Sequence, residues 1–362
     1  MVFGARMRTF LKPLRVFFHG LIALVVYLFV VTSMMGAAPL VHAVPPPSDG
    51  FVLTQWGAWT PQEAIRALDQ AHAAGARHIS VLVMLCQSSQ GASDIHFCEA
   101  APGQNFQETS QGKRLSALLP EFEARGLSLG LIPFPRAAGL SSRQWIWPKD
   151  PKSWFRNYGD LLVDLGGFAR EAGATELVVG SELTRLFTLE KNWRAVIQRV
   201  RGVFSGHLTL SPFFLQYQRI RFWDALDSVG VSFYFPLSLR KRRGAKKSVD
   251  ELERALRWHR GHLVPFAKKV GKPLTFVEVG YPATEVAAAR PWDFQFEKRQ
   301  LDLAQQARCF EAFRRVFSKE PLLRGFQIWG LSGQAVNPKA FEPLGKPAEI
   351  PVRKLFEERA GM

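Results

Sequence analysis

Residues 176–182 read ELVVGSE, a short apolar run that ends in the carboxylate of Glu182. Residues 274–278 read LTFVE and end in the same way at Glu278. Continuous apolar runs of this length are typical of strands buried on both faces, as in parallel sheets covered by helices. Both runs therefore predict buried parallel strands whose ends carry an acidic residue.

Six further runs of this kind alternate with longer segments of helical periodicity. The eight predicted strands cover residues 51–56, 78–84, 127–133, 176–181, 208–211, 228–234, 274–278 and 326–329. Helical spacing is clear over 61–74, 154–172, 250–270 and 301–317, and the first of these helices begins at Thr60 with a capping hydroxyl. The alternation predicts an α/β protein, a (β/α)₈ TIM barrel over residues 51–358. An open doubly wound sheet is the alternative.

The first 43 residues have the pattern of a targeting segment. Four basic residues precede an apolar run over 16–40, and residues 41–43 read VHA, a small-x-small cleavage signal. The run is also long enough for an uncleaved membrane anchor. Both interpretations predict export, with the barrel periplasmic, secreted or anchored outside the cytoplasm. Residues 44–50 are a proline-rich linker.

The composition is typical of a globular protein, and the chain is strongly basic. A chain of 362 residues with 47% hydrophobic content can bury a large core, and its formal net charge is +16. This charge suits anionic membranes, acidic glycans or nucleic acid. No nucleic-acid module is recognisable, so no nucleic-acid partner is predicted. The run RKRR at 240–243 is either a solvated loop or a surface that attracts an anionic envelope polymer or lipid.

Three cysteines allow one disulfide. Export makes a pair between Cys86 and Cys98 plausible, because it would close a short loop after the second predicted strand. Cys309 lies in a helical pattern typical of a buried thiol. The alternative is that all three thiols are unpaired.

The sequence lacks the motifs of several classes of enzyme. There is no glycine-rich dinucleotide or phosphate loop, no cluster of histidines with metal-ligand spacing and no Gly-x-Ser-x-Gly elbow. We therefore predict an enzyme without a cofactor or a catalytic metal.

The acidic residues at strand ends are the candidates for catalysis. In a TIM barrel the active site forms at the C-terminal ends of the strands, where Glu182 and Glu278 follow the fourth and seventh. Retaining glycosidases use two carboxyl groups about 5 Å apart, one as nucleophile and one as acid/base. A structural ion pair, for example with Arg185, is the alternative explanation for either carboxylate.

Five motifs resemble glycoside hydrolase family 113, a family of clan A barrels that includes retaining β-mannanases. They are WFRNY at 154–158, VGSEL at 179–183, FWDALD at 222–227, YFPL at 234–237 and FVEVGY at 276–281. The resemblance implies that Glu182 is the acid/base and Glu278 the nucleophile. It also implies that Tyr234 hydrogen-bonds the nucleophile and that Trp329 supports the sugar in subsite −1.

Other residues near the strand ends are candidates for binding an oligosaccharide or polysaccharide. Ser181 could bond a sugar hydroxyl, and Trp56 and Trp145 are the tryptophans we predict to line the cleft, which favours endo action. Where the family carries Lys-Pro-His, residues 132–134 read IPF, so two polar groups are replaced by apolar ones. A catalytically silent glycan-binding barrel and a transglycosylase remain the alternatives to a hydrolase.

Overall fold

A ring of parallel strands surrounded by helices makes up the described part of the chain. The computed structural model describes residues 47–54, 59–101, 103–238, 247–334 and 337–362. The predicted signal peptide at 1–43, the anchor at 16–40, Trp56 and the basic run at 240–243 lie outside these ranges. None of the helices within them combines the length and apolar character needed to cross a bilayer.

The strands close into a barrel. They are β1 (Gly50–Leu53), β2 (His78–Gln87), β3 (His96–Phe97), β4 (Ser128–Ala137), β5 (Glu176–Ser181), β6 (His207–Ser211), β7 (Val229–Phe233), β8 (Leu274–Val279) and β9 (Leu323–Leu331). Apart from β3, which pairs antiparallel with β2, they run parallel in the order β6-β5-β4-β2-β1-β9-β8-β7. The outer strands of this order meet where the amide of Ser232 donates to the carbonyl of Pro212 over 2.9 Å. The predicted (β/α)₈ barrel is confirmed, and the open sheet is excluded.

α-Helices follow every barrel strand except β6, which two short 3₁₀ turns connect to β7. The α-helices of the described residues are α1 (Pro61–Ala73), α2 (Ser110–Ala124), α3 (Pro151–Glu171), α4 (Glu190–Arg201), α5 (Val249–Val270), α6 (Leu303–Phe317) and α7 (Glu349–Ala360). At the start of α1, the Thr60 side chain accepts from the Glu63 amide, and the Glu63 carboxylate accepts from the Thr60 amide. This reciprocal capping satisfies two amides that the first helical turn leaves unpaired.

Strands β2 and β4 are longer than the sequence predicts. They pair over ten residues, from His78 with Ser128 to Gln87 with Ala137. Strand β3 folds back on the end of β2, and the antiparallel pairs Leu85 with Phe97 and Cys86 with His96 extend the sheet. The added pairing keeps both chains extended beyond their apolar runs, so β2 and β4 project above the barrel mouth.

The WFRNY motif fastens α3 to the loops and strands around it. The Trp154 indole donates to the Gln87 side chain over 2.9 Å, and the Asn157 amide donates to the Ser93 carbonyl over 2.6 Å. The Tyr158 hydroxyl donates to the carbonyl of Val179 over 3.0 Å. These bonds fix β5 just before Glu182, so the motif supports the site without lying in it.

Candidate active site

A cleft of about 1170 Å³ opens at the C-terminal ends of the strands. Small-molecule sites occupy about 300–1,000 Å³, so this volume suits an oligosaccharide. The loop after β4, from Ala138 to Gln144, forms one wall. The aromatic residues that line the cleft come from five different parts of the chain: Phe134, Phe213, Tyr234, Trp292, Phe294 and Trp329.

Glu182 enters the cleft from a strained turn. Its φ of 49° makes it the one non-glycine residue with positive φ in the described part of the chain. Such a conformation costs of order 1–3 kcal/mol and persists where the surroundings enforce it. Here the Glu182 amide donates to the Ser211 carbonyl over 2.7 Å. The turn ends β5 and directs the carboxylate at the cleft.

Glu278 lies opposite, almost fully buried on β8, and three donors reach its carboxylate. The Tyr234 hydroxyl donates to Oε2 over 3.2 Å. The Ser181 hydroxyl and Arg143 Nη2 each lie 3.5 Å from Oε1. These three donors act to lower the pKa of Glu278, against the effect of its burial.

Arg143 connects the two carboxylates. Its Nη2 lies 3.2 Å from Glu182 Oε2 and 3.5 Å from Glu278 Oε1. Its Nε donates to the Ser181 carbonyl over 3.0 Å, and its guanidinium lies 3.7 Å from the centre of the Phe134 ring. A cation held on an aromatic face and bonded to a backbone carbonyl is fixed in position. Arg143 therefore places one positive charge between two negative ones.

The electrostatics of the pair favour retention of a proton. Burial, followed by the nearby carboxylate of Glu182, raises the pKa of Glu278 to about 8. The charge of Arg143 and the hydrogen bonds from Tyr234 and Ser181 act in the opposite direction. Burial and the charge of Glu278 hold the pKa of Tyr234 well above its usual value, so the phenol stays a donor. The two carboxylates therefore resist being ionised at the same time.

Comparison with known proteins assigns the chain to a family. The model of Glycoside Hydrolase Family 113 matches residues 50–341, which include β1 to β9 and both carboxylates. The chain belongs to glycoside hydrolase family 113. It is therefore a glycosidase, and its substrate is a carbohydrate.

Solved structures share the barrel of this family 113 member. A GH113 β-mannanase from Alicyclobacillus acidocaldarius is 23% identical with a TM-score of 0.70, over 86% of this chain and 97% of that one. A GH113 β-1,4-mannanase has 20% identity and a TM-score of 0.70, with 86% and 99% coverage. A β-glucuronidase from an uncultured Clostridium species has 13% identity and a TM-score of 0.57, with 87% and 51% coverage. These likenesses show the fold alone. No curated protein matches the sequence.

The structure brings most of the predicted site residues of this family 113 barrel together. Glu182, Glu278, Tyr234 and Trp329 all line the cleft. Trp329 is only 2% exposed, so it forms part of the floor beside Phe134, whose ring centre lies 6.2 Å away. Ser181 differs from the prediction, because its fully buried hydroxyl faces Arg143 and Glu278 and is not among the groups that line the cleft.

Apart from the one in its floor, the tryptophans that line the cleft differ from those that the sequence predicts. Trp145, which we predicted to line the cleft, is 56% exposed and lies outside the cleft lining, because its short 3₁₀ turn directs Arg143 inward instead. Trp292 does line the cleft, where it packs on Phe214 at 5.6 Å between ring centres. Trp56 belongs to the residues outside the described ranges.

Two of the three cysteines are paired. Cys86 and Cys98 form a disulfide that ties β2 to the residue after β3, and Cys309 is a buried free thiol in α6. No group of three or more potential metal ligands occurs among the described residues. Arg185, the suggested ion-pair partner of Glu182, instead places its guanidinium 4.9 Å from the centre of the Trp147 ring.

Arg143 is the functional residue that the sequence did not reveal. It lies on a loop without periodicity, nine residues after Phe134. The signal that could have found it is the replacement of two polar groups by apolar ones at residues 132–134. Two buried carboxylates without a nearby cation are costly. A basic residue in the adjoining loop was therefore to be expected.

Proposed function

We propose that this protein hydrolyses internal β-glycosidic bonds of a β-mannan-like polysaccharide with retention of configuration. The observation that carries the proposal is the pair Glu182 and Glu278 joined by Arg143. Glu278 is the nucleophile, since Tyr234, Ser181 and Arg143 all direct donors at it. Glu182 is the acid/base.

In the first step the Glu278 carboxylate attacks the anomeric carbon. The bond from that carbon to the leaving oxygen breaks, and Glu182 gives its proton to that oxygen. The products are a glycosyl ester on Glu278 and a free sugar alcohol. Two carboxylates this close resist being ionised together, and the reaction needs one of them ionised and the other protonated.

In the second step Glu182 acts as a base. It takes a proton from water, and the resulting nucleophile attacks the anomeric carbon and releases Glu278. Two inversions give net retention. Tyr234 and Arg143 hold Glu278 so that its charge is stabilised each time it leaves.

The spacing of the carboxylates supports retention. One nitrogen of Arg143 lies 3.2 Å from an oxygen of Glu182 and 3.5 Å from an oxygen of Glu278. The two oxygens therefore lie less than about 7 Å apart, which includes the separation of about 5 Å in retaining enzymes and excludes most of the 6.5–9.5 Å range of inverting ones.

The mannan-like substrate is supported by the family and by its solved members, which are β-mannanases. The volume of the cleft and its aromatic lining support action inside a chain. Export is supported by the basic and apolar pattern of residues 1–43 and by the disulfide, a bond typical of oxidising compartments. We extend the proposal to a periplasmic, secreted or membrane-anchored enzyme.

The test is hydrolysis of β-1,4-mannohexaose by the purified chain, followed by proton NMR. We expect short products whose new reducing ends appear first as the β-anomer. A first-formed α-anomer would contradict retention, and products longer than the substrate would identify a transglycosylase. Binding without any cleavage would identify a silent glycan-binding barrel.

Replacing Arg143 by glutamine should shift the pH dependence of the reaction. Arg143 lowers the pKa of Glu278, so its loss raises that pKa and moves the acid limb of the kcat/KM profile to higher pH. We expect a loss of about 10- to 100-fold at pH 6 and a smaller loss at pH 8. The profile of kcat/KM against pH measures this. Arg185→Gln, which removes an arginine outside the cleft, is the matched control, and an acid limb that stays in place in Arg143→Gln contradicts the assignment.

A further inference from the structure

The rim of the cleft carries a row of three residues that the proposed reaction does not use. Cys86 pairs in register with Arg136 on one side and with His96 on the other. Neighbouring strands lie about 4.8 Å apart, and residues in register present their side chains on the same face. All three residues line the cleft. The disulfide from Cys86 to Cys98 fixes this row at the mouth of the barrel.

Arg136 is the charged group of this row. It is exposed, and its guanidinium has no hydrogen bond or ion pair with another residue of the described ranges. Side chains alternate along a strand, so Arg136 points to the same face as Phe134, about 7 Å farther from the barrel floor. Since Phe134 lies beside Trp329 in the floor, Arg136 lies on the wall of the cleft above that floor.

The charge balance of the cleft is positive away from the catalytic pair. Glu182 and Glu278 are the acidic side chains among the described lining residues, and Arg143 already lies against both. Arg136 adds a positive charge with no lining carboxylate beside it, and His96 lies in the same row. The nearby Asp94 lies outside the lining, and its carboxylate accepts from the Ser88 amide over 3.1 Å.

We infer that the cleft binds an acidic glycan and that Arg136 recognises the carboxylate of a uronosyl residue beside the cleaved bond. The inference rests on the proposed function, and it changes the substrate class from a neutral to an anionic β-glycan. A guanidinium offers two parallel donors that match the two oxygens of a carboxylate. The net charge of +16 would also attract such a polymer to the protein.

Two substrates distinguish a neutral from an acidic specificity because they differ only at C6 of each sugar. The probes are β-1,4-mannohexaose and the β-1,4-linked mannuronate hexamer, which carries a carboxylate in place of each hydroxymethyl group. Hydrolysis of each is measured as kcat/KM for the parent and for Arg136→Gln, Arg136→Lys and Arg219→Gln. Arg219 is an exposed arginine outside the cleft and serves as the matched control.

We expect the parent to prefer the acidic hexamer. The ratio of kcat/KM for the acidic to the neutral hexamer should fall about 10- to 100-fold in Arg136→Gln, because charge-assisted hydrogen bonds are lost. Arg136→Lys should fall between the two, since a lysine keeps the charge and loses the planar fork. Arg219→Gln should keep the parent ratio. A parent that prefers the neutral hexamer, or a ratio that Arg136→Gln leaves unchanged, overturns the inference.

Calorimetry measures the binding of each hexamer to Glu278→Gln, with and without Arg136→Gln. Binding measured in this way tests the recognition by Arg136 separately from the proposed hydrolysis. Binding of the acidic hexamer that depends on Arg136, with no hydrolysis by the parent, supports the inference and overturns the proposed reaction. Hydrolysis of mannohexaose without binding of the acidic hexamer does the reverse. If neither hexamer is bound or cleaved, both are overturned.

Discussion

Glu278→Ala and Glu182→Ala should each lower the hydrolysis of β-1,4-mannohexaose by about 10⁴-fold or more. The carboxylates lie on either side of Arg143 Nη2. In the proposed reaction each performs a step that no neighbouring group can replace. Losses of this size follow when a member of a catalytic unit is removed. Reducing-sugar release at saturating and limiting substrate gives kcat and kcat/KM for each variant.

Azide separates the two roles. In Glu278→Ala, azide attacks the anomeric carbon from the side that the nucleophile has vacated, and a single displacement gives an α-glycosyl azide. In Glu182→Ala, an aryl β-mannobioside needs no acid to lose its phenolate, so the ester on Glu278 still forms. Azide then displaces Glu278 and gives a β-glycosyl azide. The opposite pattern of anomers would exchange the two roles.

Glu108→Ala is a suitable control for loss of a glutamate. Its carboxylate caps a short 3₁₀ turn at residues 106–108 and lies outside the cleft. We expect the parent activity in this variant. Similar folding of all three variants, judged by far-UV circular dichroism, assigns the loss of activity to chemistry.

The barrel could be predicted from the sequence because buried parallel strands are continuous apolar runs. Each of the eight predicted runs overlaps a barrel strand. The projecting ends of β2 and β4 could not be predicted in this way, because pairing with β3 and the disulfide hold them, and neither depends on an apolar run. Strand ends that rest on such contacts carry no periodic signal.

In the candidate site, too, the residues at strand ends could be predicted and those on loops could not. Glu182, Glu278 and Tyr234 follow buried strands, so the fold alone brings them to one cleft. Arg143 and Trp292 lie on loops, whose course depends on contacts between distant parts of the chain. Trp145 shows the same limit, since its loop turns an arginine inward and the indole outward.

The opposite end of the barrel holds a buried ion pair on which the fold depends. Glu176 is fully buried and accepts from Arg324 over 2.8 Å and from Gln327 over 2.5 Å. Burial raises the pKa of Glu176, but Arg324 and the neighbouring histidines outweigh it and hold the pKa below its usual value. The stabilisation is therefore complete at neutral pH and is lost as the pH falls through the lowered pKa.

Glu176→Ala should lower the free energy of unfolding by about 3–5 kcal/mol, measured by urea denaturation at pH 7, because the mostly buried Arg324 loses the carboxylate that accepts from it over 2.8 Å. Glu171→Ala removes an exposed partner of Arg170 and should cost less than about 1 kcal/mol. The double variant Glu176→Met with Arg324→Met should regain most of the loss, since no charge is then left unpaired. A double variant as unstable as Glu176→Ala would show that packing around Glu176, and not its charge, holds this end of the barrel together.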